Sequence, residues 1–140
     1  MGSDHKGFFS IDALFAVTLL LLISASFLNM YEGRKQATEL MGARLEAKLV
    51  GEKLAAAINT VYANGSDFEL RVNLPQNVGS YSYQITFDNT ARQISVENSA
   101  WGAVSVGAVC KNVRNFTLGP ENLQTIRVYW ADNQVKVVSI

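Results

Sequence analysis

Residues 6–26 read "KGFFSIDALFAVTLLLLISAS", and this stretch decides how the chain is organised. From Phe8 to Met30 the run is apolar, with no glycine or proline to interrupt a helix and one charge, Asp12. At about 1.5 Å of rise per residue, Ala13 to Met30 spans roughly 27 Å, close to the ~30 Å of a hydrocarbon core. The run is therefore expected to cross a membrane. A carboxylate near the middle of such a helix costs about 2.5–3.5 kcal/mol, so a plain anchor is better served by leucine. Asp12 either lies at the headgroups or meets a positive charge.

Outward from this run the chain divides into four parts: residues 1–7, a short polar leader; 8–30, the apolar helix; 31–63, an amphipathic continuation of that helix; and 64–140, a β head. The continuation is rich in Ala, Leu, Glu, Lys and Arg. Leu40, Ala43, Ala47, Val50, Leu54, Ala57 and Val61 follow alternating three- and four-residue steps, the spacing of one buried helical face. Ala43, Ala47, Gly51 and Ala55 recur every four residues and suit the close approach of another backbone, either a second helix or a sheet. Asn64-Gly65 is the expected helix stop.

Beyond the stop the period changes to two. Phe68, Leu70, Val72 and Leu74 alternate with polar residues, as do Tyr81, Tyr83, Ile85 and Phe87. Shorter strands are expected around Ile94 and Val96, from Val104 through Val106 to Ala108, and at 115–118. Ile126, Val128 and Trp130 face Val135 and Val137 across "ADNQ", a hairpin signal with Asp-Asn at its tip. The predicted fold is α+β: a long N-terminal helix packed on an antiparallel β-sheet head.

Composition excludes several functions. Twelve acidic and twelve basic residues balance, leaving no basic field for nucleic acid. The single cysteine, Cys110, excludes an intramolecular disulfide, and its surroundings "GAVSVGAVC" read as apolar strand holding an inert thiol. The one histidine, His5, precedes the apolar run, and the carboxylates of the head are scattered without paired spacing. No catalytic set, metal site or cofactor is predicted, and the chain reads as a non-enzyme. Trp101, in the "NSAWG" loop, is expected to be buried by packing. Two sequons, Asn64-Gly65-Ser66 and Asn115-Phe116-Thr117, are candidate N-glycosylation sites at Asn64 and Asn115.

A leader ending in Lys6-Gly7, then Phe8, then a carboxylate five residues after the glycine and an uninterrupted apolar run, resembles a type IV prepilin. Ser10 and Asp12 are similar to the Ser-x-Glu core of the archaeal class III signal sequence. The resemblance implies cleavage after Gly7 by a prepilin peptidase, with Lys6 and Ser10 in its recognition sequence and Phe8 as the new N-terminus. It implies insertion in the cytoplasmic membrane, handling by a membrane assembly platform, and polymerisation with copies of itself into a helical surface filament. Asp12 falls where the family usually carries glutamate, and its expected partner is the α-amine of Phe8 on the same or a neighbouring subunit. The absence of a cysteine pair and of a helix-loosening proline is most similar to archaeal pilins, and Asp12 distinguishes the chain from archaellins. Two other readings use the same residues. The chain is then a single-pass anchored β-domain protein with a binding role, or a secreted one cut after Ser24-Ala25-Ser26.

Overall fold

The computed structural model describes residues 2–107 and 109–140, and of residues 2–9 the backbone alone. The fold is α+β: among the described residues one long helix, α1 (Gly2–Asn64), is followed by seven strands and one short 3-10 helix (Pro120–Asn122). The chain comprises two compact units, Met1–Thr38 and Glu39–Ile140. The first is the N-terminal part of α1.

The second unit starts from the residue pattern of α1 itself. Ala43, Ala47, Val50, Leu54, Ala57 and Val61 are all buried, as their spacing predicts, and Ala55 and Ile58 join them. The helix ends where the sequence stops it. Gly65 adopts φ +88° and its N–H donates to the Val61 carbonyl at 3.1 Å, an αL cap that a Cβ would strain.

The strands divide between two antiparallel sheets rather than forming one. Strand β1 (Glu69–Asn73) pairs with β6 (Thr125–Ala131), which pairs with β7 (Gln134–Ser139). The other sheet has the order β4-β3-β2-β5, from β2 (Gln84–Asp88), β3 (Gln93–Asn98), β4 (Gly102–Val106) and β5 (Phe116–Leu118). The reason is the segment after β1. Val78 and Tyr81 bridge one another with main-chain hydrogen bonds of 2.8 and 3.1 Å, forming a turn where the sequence alternation suggests strand. The predicted strand from Tyr81 therefore begins only at Gln84, and the chain enters a new sheet.

The "ADNQ" hairpin forms in the expected register, with Trp130 opposite Val135 and Val128 opposite Val137. Asp132 and Asn133 adopt φ of 53° and 62°, the paired positive values of a type I′ turn. Strand β4 stops at Val106; Ala108 lies outside the described residues.

One cluster of buried side chains draws on α1 and both sheets, with Leu54, Ile58, Ile85, Ile94, Val96, Ile126, Val128 and Val135 fully enclosed. Each such aliphatic contributes about 1.5–3 kcal/mol by leaving water. The small-residue stripe serves this packing. A Cβ at Gly51 would lie 2.7 Å from Val106 Cγ2 and 3.5 Å from Val96 Cγ2, so the stripe admits β3 and β4 of its own head. Polar ties fasten the same helix: Glu46 accepts from the Gly79 N–H at 2.8 Å, and Lys53 donates to the Asn73 carbonyl at 2.8 Å.

Candidate functional site

The candidate site is the N-terminal part of α1, and its chemistry begins with what its side chains do not touch. Every described side chain from Ser10 to Glu39 is exposed. Within this stretch the helix is long and apolar enough to cross a membrane, with a mean hydropathy of 2.3 over eighteen residues and none of that window buried. Leu14, Phe15, Leu19, Leu20, Leu22 and Phe27 are among the large residues left open. In water alone such a surface is costly at about 25 cal/mol per Å².

Local bonding satisfies the hydroxyls on this surface. Thr18 Oγ1 donates to the Leu14 carbonyl at 2.7 Å and Ser26 Oγ to the Leu22 carbonyl at 2.9 Å, so neither hydroxyl presents an unmet donor. Around Ser26, the side chains of Leu22, Ile23, Phe27 and Met30 border an open apolar notch of about 350 Å³. Asp12 is the exception. Its carboxylate is exposed on α1, and no ion pair reaches it among the described residues. Ser10 is exposed two residues earlier. The side chains of Lys6, Gly7 and Phe8 lie outside the described residues.

The two sequon asparagines sit apart from one another. Asn64 is the last residue of α1, exposed, with Nδ2 donating to the Thr60 carbonyl at 2.7 Å. Asn115 is exposed immediately before β5, and its Oδ1 accepts from the Asn89 N–H at 2.7 Å. It borders an open groove between the edge strands β5 and β7, lined also by Arg114, Thr117, Tyr129 and Lys136.

Cys110 lies in a loop, not in a strand, because β4 ends at Val106 and the backbone is then held elsewhere: the Cys110 N–H donates to Asn59 Oδ1 on α1 at 3.0 Å. The thiol is half-buried, and burial pushes its pKa up, away from nucleophilic reactivity. Trp101 is buried, as expected of a packing residue. Among the described residues no three His, Cys, Asp or Glu side chains gather closely enough to hold a metal ion.

Sequence reasoning missed a second apolar row on α1. Met41, Leu45 and Leu49 are exposed within the head unit, and their four-residue spacing is legible in the sequence once the buried stripe is set aside. No protein-family model matches the chain, and neither the characterised proteins nor the solved structures compared with it include a match.

Proposed function

We propose that the chain is a structural subunit of an extracellular type IV pilus-like filament. It is inserted in the membrane, cleaved after Gly7 and assembled through its N-terminal helix. The observation that supports this best is an exposed apolar helix bearing one carboxylate, Asp12, about one turn beyond the Gly7–Phe8 bond. An apolar surface of that length needs lipid before assembly and other helices after it. Asp12 needs a cation in the second setting, where an unpaired carboxylate is costly. The α-amine released at Phe8 supplies one. A charge pair of this kind adds little net stability but penalises wrong axial registers, so it sets where each incoming subunit stops.

The test is the N-terminus of the protein recovered from its native host. Phe8 is the expected result. Met1 would overturn the filament reading in favour of a single-pass anchored β domain, and an N-terminus near Phe27 would make the chain a secreted protein.

A further inference from the structure

Two sequons take no part in the filament reading, and the fold treats them differently. At Asn64 the nitrogen that would carry a sugar, Nδ2, donates to the Thr60 carbonyl at 2.7 Å. Gly65, the middle residue of that triplet, turns the chain at φ +88°, so the helix cap parts Asn64 from Ser66. At Asn115 the amide is held the other way round. Its Oδ1 accepts from the Asn89 N–H at 2.7 Å, and Nδ2 has no partner among the described residues. Thr117 lies two residues on, in β5, and the strand period puts its side chain on the same face as that of Asn115; both are exposed. Phe116 between them turns the other way and stacks on Phe87, with ring centroids 5.5 Å apart.

What lies beside Asn115 gives a glycan there something to do. Residues 112–114 run along the outer edge of β7: the Val135 N–H donates to the Asn112 carbonyl at 2.9 Å, and the Val135 carbonyl accepts from the Arg114 N–H at 3.1 Å. That cover stops at Asn115, where the chain enters β5 and pairs with β2 instead. Val137 has the parity of Val135, so its N–H and C=O also point away from β6, and no described main-chain group meets them. Strand β5 is likewise the edge of its own sheet. Between the two edges runs an open groove of about 350 Å³, lined by Asn115, Thr117, Tyr129, Lys136 and Val137 among others. An uncovered edge strand is a template for pairing with another chain. The lining mixes amide, hydroxyl, phenol and ammonium groups with an aliphatic side chain, which suits the hydroxyls and apolar ring faces of a sugar.

We infer that Asn115, and not Asn64, carries an N-linked glycan whose first sugars lie in the β5–β7 groove and cover both strand edges. Attachment forms a C–N bond between Nδ2 and the anomeric carbon of a lipid-phosphate-linked oligosaccharide supplied by the host. The bond from that carbon to the phosphate oxygen breaks, and the lipid phosphate leaves with the Nδ2 proton. Oδ1 is unchanged, so its bond from Asn89 persists. The site rests on the part of the reading above that puts the head outside the cytoplasm, not on cleavage or polymerisation. Trypsin places the two sequons in separate peptides, 54–71 and 115–127. Mass spectrometry of protein from the native host is expected to find saccharide mass on 115–127 and the bare mass for 54–71. Sugar on 54–71 would overturn the choice between the sequons, and a bare 115–127 would overturn the proposal. In the second case protease added to intact cells separates the causes: a digested head leaves the extracellular reading standing, and a protected head takes both down. Met1 as the N-terminus of the same sample would sink the filament reading alone. The covering role has its own test. Thr117→Ala removes the sequon and leaves Asn115 in place, whereas Thr117→Ser keeps it. In detergent, full-length Thr117→Ala is expected to form sedimentable aggregate about threefold faster than wild type, with Thr117→Ser like wild type. Wild-type chain made in a host without N-glycosylation should aggregate as fast as Thr117→Ala. Equal rates for glycosylated and bare wild type would overturn the covering role.

Discussion

Trp130 of β6 reaches the last turn of α1, where its Nε1–H donates to the main-chain carbonyl of Val61 at 3.0 Å. The same carbonyl accepts the Gly65 N–H that caps the helix, and the Trp130 indole stacks on Tyr62 at 5.8 Å between ring centroids. The indole hydrogen bond and the stacking thus join the capped helix stop to the final hairpin. Trp130→Phe keeps an aromatic ring but removes the donor. The expected loss is about 1 kcal/mol, because Gly65 still satisfies the carbonyl, and it is measured by chemical denaturation in detergent. No change in midpoint would show that the hydrogen bond is idle.

Gly51 offers a prediction whose sign is set by competition. Alanine in a helix is worth about 0.8–1 kcal/mol over glycine. The added Cβ, however, would meet Val106 Cγ2 at 2.7 Å, and overpacking typically costs about 1–3 kcal/mol. Gly51→Ala is expected to destabilise, and Gly51→Ala with Val106→Ala to recover most of the loss. A double variant less stable than the sum of its two single changes would contradict this geometry.

The helix stop, the final hairpin and the packing of the helix on the β head are legible in the sequence, whereas the division into two sheets and the turn at Tyr81 are not. The helix stop at Asn64-Gly65 and the type I′ turn at Asp132-Asn133 each depend on residues adjacent in the chain. The division into two sheets depends on Glu69 finding Tyr129, a pairing that no turn residue announces. Tyr81 and Tyr83 imitate strand alternation because one closes a turn and the other fills the core. The stripe of Ala43, Ala47, Gly51 and Ala55 fits a helix or a sheet equally well by spacing. Only the position of Val106 decides for the sheet. For the N-terminal site, the apolar helix and the exposed Asp12 were legible from composition, whereas a partner for that carboxylate lies on no described residue.

Tyr83 gives the head a dependence on alkaline pH. Its hydroxyl donates to the Pro75 carbonyl, and burial pushes its pKa up from 10.0 to about 12. Between those values the unfolded chain releases the phenolic proton and the folded chain keeps it, so fewer protons are bound in the unfolded state. Stability is therefore full below pH 10 and falls as pH rises towards about 12. Tyr83→Phe is expected to cost about 1 kcal/mol at neutral pH and to flatten that fall. Parallel pH profiles for the two proteins would show that Tyr83 does not couple folding to the proton.

On the proposed filament reading, Asp12 carries the assembly prediction. Asp12→Asn and Asp12→Ala are expected to insert and to be processed, since neither makes the run less apolar. Filament yield should collapse, because each Phe8 amine would enter the bundle without its counter-charge. Breaking a buried pair costs about 3–5 kcal/mol, several-hundredfold in partition between membrane and filament. Asp12→Glu, with the same charge on a longer arm, should assemble. The measurement compares sheared filaments with the membrane pool of processed subunit. Wild-type yield from Asp12→Ala would remove the pairing.

The pairing of β1 with β6 also dictates an order of events on the ribosome. The apolar run of α1 is made before any strand of the head. The face of α1 that will become core follows. Among the described residues strand β1 gains its partner when Thr125–Ala131 arrives, and Val135 and Val137 of β7 follow. Until those strands arrive the helix therefore holds its inner face uncovered. Contacts this distant in sequence close slowly. The arrival of β6 and β7 is then the moment at which the head becomes a folded object, and a chain truncated before β7 remains sticky and open to proteolysis.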